Sequence, residues 1–438
     1  MDVPDEAGTE YFGTRRAPRT ALVAVHTVAA LRRLLTVIGI LERDDRVEVV
    51  YTAVPDHLGR GVKEQLATLG ANVIGWEEAT GCHPDLLVSA SLHRIEDVPA
   101  RRRLAMPHGA GYIKRYPSGP GGELLTYGLE AGSLVHDGRV VVDALVVSHH
   151  DQIARLRRQC PEAARYAVEG GDPVRDVLVH AKSNRERFRA ELGVRSEQRL
   201  MLVSSTWGTG SIVDRDRGLL VRMMRELPAN HRVVLTLHPA VWARHGRRTV
   251  LNWLRHACDM GLDVEDFDSD WTRLLLSADL VLSDAGSLAV YAAAVGIPVL
   301  LTEPQAQRVD PKSMMGDLVR VSPVLRPAAP LRPQLECAQA AAAEQQRVAG
   351  ERLSSVPDQA TSIFQRTAYR LLDLPEPGTP PRPAPLGHPR LVDPALDEYD
   401  VHVPPARSEG GTPERHGVRP APGFATQRRS PRPWTRRN

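Results

Sequence analysis

The sequence predicts an α/β protein built as two Rossmann-like domains with a cleft between them. Three observations carry that expectation. Apolar runs of strand length alternate with stretches of helix length, the alternation restarts near residue 199, and 438 residues exceed what one hydrophobic core ordinarily organises. The expected division is a flexible leader at 1–18, a first domain at 19–172, a second domain at 173–372 and a disordered tail at 373–438.

In the first domain, residues 20–26 read as a strand, and "TVAALRRLLTVIGI" as a helix ending near Gly39. Residues 47–54 and 85–91 are further strands with a helix around 61–69 between them. A short strand at 104–106 puts His108 just past its carboxyl end, the edge at which parallel sheets bind ligands. A strand at 140–147 and a helix at 151–158 follow, and "RYAVEGGD" at 165–172 leaves the domain. The second domain repeats the pattern, with strands at 199–205, 232–237, 280–283 and 297–302 and helices at 215–227, 242–260 and 287–295. Helix formers at 341–372 close the folded region. From Pro375 the chain has fifteen prolines in sixty-four residues, a composition that need not pack.

A net charge of +3 with 25% charged residues argues against a nucleic-acid scaffold, so no specific nucleic-acid partner is expected. Cys82, Cys160, Cys258 and Cys337 lie far apart, which fits a reduced, cytoplasmic protein. The leader lacks the apolar stretch of a signal sequence, and no run of eighteen apolar residues supplies a transmembrane segment. Five arginines in the last eleven residues fit a solvated tail first, and weak peripheral contact with the anionic inner face of a membrane second.

Three strand-end loops carry the candidate chemistry. In "LAMPHGAGY", Gly109 and Gly111 narrow the loop so that an acceptor hydroxyl can reach His108, whose ring suits proton removal near neutral pH. The competing reading is a loop histidine that donates to a backbone carbonyl. Lys114, Arg115 and Tyr116 follow within reach of a phosphate or sugar. In "TLHP", Pro239 fixes the exit of the strand and leaves the His238 ring to face a ligand. In "SDAGS", Ser283, Asp284, Gly286 and Ser287 form a turn into a helix whose first amides can hold diphosphate oxygens. Ser287 either adds a hydroxyl there or caps the helix. In "SSTWGTGS", Thr206, Gly208 and Ser211 are expected in the cleft and Trp207 in the core. No HExxH, paired CxxC or GxGxxG pattern is present. Neither a catalytic metal nor a tightly bound cofactor is therefore implied, though a divalent cation can arrive with a donor diphosphate.

In order, "PHG" at 107–109, "GGDPVRDVL" at 170–178, "HP" at 238–239, "SDAGS" at 283–287 and "GIPVL" at 296–300 resemble the CDP-glycerol glycerophosphotransferase, or teichoic-acid polymerase, family. That resemblance implies a GT-B architecture and transfer of glycerol phosphate, or a related polyol phosphate, from a CDP-linked donor to a hydroxyl on an envelope polymer or lipid-linked acceptor. It implies that His108 is the base, that His238 and the turn 283–287 hold the donor phosphates, and that Gly171, Pro173 and Asp176 lie at the domain crossing. The sequence departs from the family pattern at Gly286, where a second serine is usual, and at Tyr291, where an aspartate is usual. Two alternatives follow: an NDP-sugar glycosyltransferase or UDP-N-acetylglucosamine 2-epimerase-like enzyme, and a catalytically silent nucleotide-binding or regulatory protein.

Overall fold

A computed structural model describes residues 17–118, 121–267, 269–303, 308–382, 385–388 and 390–392. All of them fall within one compact unit spanning 1–394. Continuous apolar runs such as "ALVAV" and "LMLVS" form strands buried on both faces, as sheets covered by helices on two sides require. In β1 (Arg19–Val25), Leu22 and Val23 point into separate cores on opposite faces of the sheet.

The first lobe adds β2 (Val47–Ala53), β3 (Val73–Ile74), β4 (Leu86–Ser89) and β5 (Arg102–Ala105). Two small hairpins follow, β6 (Arg115–Pro117) with β7 (Leu124–Thr126), and β8 (Val135–His136) with β9 (Arg139–Val140). The lobe is completed by β10 (Ala144–Val147) and β11 (Ala167–Glu169). Its main sheet is parallel, in the order β11-β10-β5-β4-β1-β2-β3. The second lobe contains β12 (Arg199–Ser205), β13 (His231–Leu237), β14 (Asp263–Val264), β15 (Leu280–Ser283) and β16 (Val299–Leu301). They form a parallel sheet ordered β14-β13-β12-β15-β16. In each sheet the strand order reverses beside the lobe's first strand, between β1 and β4 and between β12 and β15, which opens a crevice at the carboxyl ends.

Gly171 has φ of +70°, and a Cβ there would meet Ser354 and Val356, so the crossing between lobes needs glycine. Asp172 then caps the helix Pro173–Ala181 by accepting from the Arg175 N–H at 2.9 Å. Asp176 accepts from the Asp358 and Ala360 N–H groups at 3.0 and 3.2 Å, pinning the start of the last helix, Ala360–Leu372. That helix corrects the expected boundary at 372. Its Phe364, Ala368, Tyr369 and Leu372 pack into the core of the first lobe. Periodicity identifies an apolar helix face but not the sheet it covers.

The expected helix 242–260 is two helices, Pro239–His245 and Arg247–Asp259, broken at Gly246 with φ of +78°. The expected tail from 373 has defined contacts in its described part, where residues 385–388 and 390–392 dock on the second lobe. Residues 1–16 of the expected leader 1–18, and residues 393–438 of the expected tail, lie outside the described residues.

Candidate active site

The carboxyl ends of both sheets face one cleft of about 1140 Å³, and His26, His108, Thr206, His238, Gly286 and Ser287 are among its walls. His108 and His238 thus come from different lobes to one space, although 130 residues separate them in sequence.

The two imidazoles differ in their hydrogen bonding. His238 caps the helix Pro239–His245, its Nδ1 accepting from the Ala240 N–H at 3.1 Å. The neutral ring must then carry its proton on Nε2, which makes that nitrogen a donor. Burial, reinforced by the nearby His108 and Lys114 charges, lowers its pKa to about 3, so the ring stays neutral at ordinary pH. The His108 ring is open to cleft solvent but deep between the lobes. Burial first and Lys114 second lower its pKa, while a hydrogen bond to the Ala90 backbone opposes them. Donation to a carbonyl leaves the other ring nitrogen with a free lone pair. The backbone-donor reading and the base reading of His108 are therefore compatible.

Glycine is required in this loop for packing rather than for access alone. A Cβ on Gly109 would lie 2.6 Å from Ser287 Oγ, and one on Gly111 would lie 2.7 Å from Gln152 Nε2, with φ at +86°. Across the cleft the Ala110 N–H donates to Ser287 Oγ at 3.2 Å. Ser287 thus neither caps its own helix nor stands apart from the first lobe, for the N-cap of Ser287–Ala294 is Gly286, with no side-chain bond. Gly286 is packed against Thr206, whose Cγ2 would lie 2.6 Å from an added Cβ.

Four expected ligand-binding residues shape the cleft instead of lining it. Asp284 accepts from the Thr206 N–H at 2.9 Å and the Ile212 N–H at 3.0 Å, which folds the 206–212 loop. Burial raises its pKa against those amides. Ser211 caps the helix Ile212–Arg215, Gly208 takes φ of +79° in the loop, and the Ser283 side chain is fully buried. Trp207 is not a core residue. It is 39% exposed at the cleft, with Lys114 Nζ 5.9 Å from its ring centre. Spacing alone does not distinguish a loop residue that holds the turn from one that faces its mouth.

No protein-family model and no curated protein matches the chain. Among solved structures, the wall teichoic acid polymerase TagF is similar at 13% identity, covering 82% of this chain and 90% of that chain with a TM-score of 0.55. A variant of TagF soaked with CDPG covers 82% and 89% at the same identity and TM-score. Anabaena HepE in complex with UDP-glucose matches more loosely, at 12% identity, 81% and 100% coverage and a TM-score of 0.47. The architecture is GT-B.

In this GT-B cleft the strand-end rule that selects His108 and His238 also selects His26, directly after β1 and absent from the candidates above. A solitary histidine after an apolar run is a weak signal. Its Nε2 bonds the His93 carbonyl, and it is 1% exposed. Burial lowers its pKa to about 4 against the raising effect of that bond. The unfolded ring, with pKa near ~6.5, binds more protons below that value than the folded ring does. His26 therefore leaves stability intact above pH ~6.5 and erodes it as pH falls towards 4, by about 3 kcal/mol in total. Urea unfolding between pH 7 and 4 should show a shallower loss in His26→Gln than in wild type, and parallel curves would refute this assignment.

The GT-B lobes are tied on either side of the cleft. Arg155, buried, bonds Asp310 at 2.8 Å, and Thr126 donates to the same carboxylate oxygen at 2.8 Å. On the other side Arg33 from the first lobe meets Asp172 at 2.9 Å, and Tyr291 from the second donates to Asp172 at 3.0 Å. Among the described residues, no group of three His, Cys, Asp or Glu side chains is placed to hold a metal ion. Among the same residues, no helix is long and apolar enough to cross a membrane.

Proposed function

We propose that the cleft transfers glycerol phosphate, or a related polyol phosphate, from a CDP-linked donor to a hydroxyl acceptor. One observation carries this reading: a histidine from each lobe, His108 and His238, faces a common cleft, and the Ala240 N–H occupies His238 Nδ1 so that its Nε2–H is left to donate. The likeness to TagF, a wall teichoic acid polymerase, supports the choice of donor.

His108 takes the proton as the acceptor oxygen bonds the phosphorus that bears glycerol. The bond from that phosphorus to the bridging oxygen breaks, and CMP leaves with the electron pair. His238 donates its Nε2–H to a diphosphate oxygen, and Lys114 adds positive charge from the first lobe. The turn at Gly286 and Ser287 presents the start of a helix to the same phosphates. A well-aimed donor of this kind contributes about 3 kcal/mol in the transition state. His238→Ala is therefore expected to slow transfer by roughly a hundredfold or more and to weaken donor binding. Steady-state rates and calorimetric titration together check both parts.

Nucleotide release decides the donor. CMP appearing together with a glycerol-phosphate ester on the acceptor supports the proposal. UDP release from a UDP-sugar would replace it with NDP-sugar glycosyl transfer, and binding without turnover would replace it with a silent nucleotide-binding protein. An envelope polymer or lipid-linked saccharide bearing a free hydroxyl is the acceptor class to supply.

A further inference from the structure

The carboxyl edge of the second sheet runs from β15, through β12 and β13, to the edge strand β14. The diphosphate is assigned to the β15 end of this row, at Gly286 and Ser287. At the other end, the loop after β14 places Ser269 and Asp270 in the cleft wall. There the proline-rich C-terminal segment extends the sheet. The Val392 N–H donates to the Val264 carbonyl and the Asp266 N–H to the Arg390 carbonyl, each at 2.8 Å. The Arg390 N–H donates to Ser269 Oγ at 2.8 Å, and the Gly387 N–H to Asp270 Oδ2 at 2.6 Å. Arg273 holds the segment from below, donating to the Leu386 carbonyl and to His388 Nδ1, each at 2.9 Å. Leu386, Gly387, His388 and Arg390 face the cleft beside Ser269 and Asp270.

We propose that residues 385–388 and 390–392 form the wall that receives the nucleoside end of the donor, so that donor affinity depends on a segment lying beyond both lobes in sequence. The inference rests on the nucleotide-donor reading above. A nucleotide whose diphosphate lies at Gly286 and Ser287 runs its nucleoside either out of the cleft or along this row of strand ends, and the row ends at the docked segment. Backbone bonds of this sort are individually weak and are opposed by the entropy of ordering the segment. Its docking therefore responds to any ligand that rests against it.

Gly387 provides the test. A Cβ there would lie 2.7 Å from both Cβ and Oδ2 of Asp270, so Gly387→Val displaces the segment while leaving the phosphate end untouched. In the full-length chain, calorimetric affinity for CDP and UDP should fall at least about tenfold, with inorganic pyrophosphate affinity unchanged. Wild-type affinity for both nucleotides in the variant would overturn the inference, and so would an equal loss of pyrophosphate binding. A second measurement needs no variant. CDP or UDP should slow amide hydrogen exchange at Gly387, Arg390 and Val392 of the wild-type protein, and unchanged exchange under saturating nucleotide would overturn the inference. If wild type binds neither nucleotide, the donor reading falls and takes this wall with it. If wild type binds and only the Gly387 and exchange results fail, the donor reading stands alone.

Discussion

His108→Ala is expected to lower the transfer rate by roughly two to four decades, the usual contribution of a positioned general base, with little change in nucleoside diphosphate affinity. The split follows from the geometry. The groups proposed to face the phosphates, His238, Gly286 and Ser287, belong to the second lobe, whereas His108 enters from the first. The same residue sets the pH profile. Burial and the Lys114 charge lower its pKa, so the free base persists at pH values below the ordinary ~6.5 for histidine. The rate should fall as pH drops through a value under ~6.5, and the residual rate of His108→Ala should lack that limb. A near-normal rate in the variant, or an acid limb that survives the substitution, would exclude His108 as the base.

Asp172→Ala is expected to destabilise the fold by about 3–5 kcal/mol, the cost of leaving a buried charge without its partner. Arg33 is 2% exposed and pairs with Asp172 at 2.9 Å, while Tyr291 donates to the other carboxylate oxygen at 3.0 Å. The carboxylate also caps the helix Pro173–Ala181. Removing it strands a guanidinium, a phenol and a helix start at once. Tyr291→Phe removes one hydrogen bond and keeps the ion pair, so about 1 kcal/mol is expected. Denaturant unfolding at neutral pH measures both. Equal effects of the two substitutions would mean that the ion pair contributes nothing. Because the Tyr291 helix begins at Ser287, Asp172→Ala should also weaken nucleotide binding.

Much of the fold is legible in the chain. Strands buried on both faces read as unbroken apolar runs, and those at 199–205 and 280–283 have the expected limits. Two-residue strands such as β3 and β14 are too short to show a period. The β8–β9 hairpin does carry a signal, the two-residue turn Asp137-Gly138 with both residues at positive φ, and the expected elements omit it. Position within three residues of a strand end is enough to expect His108, His238 and Gly286 at the cleft, whereas His26, directly after β1, gives too weak a signal on its own. The site is not legible where a polar residue can satisfy either a loop or a ligand. Asp284, Ser211 and Tyr291 have the chemistry of ligand contacts, yet they hold the 206–212 loop, a short helix and Asp172.

The amino-acid order by itself determined the alternation of strands and helices, the two parallel sheets and the histidines at their carboxyl ends. These follow from local periodicity and from the side chains each segment must bury. Only the tertiary structure decided that the last helix returns to the first lobe, that Arg33, Asp172 and Tyr291 meet, and that part of a proline-rich tail docks at the edge of the cleft. Each of those contacts joins residues more than a hundred positions apart, and such a pairing is chosen by shape and charge across the closed lobes, which no local pattern encodes.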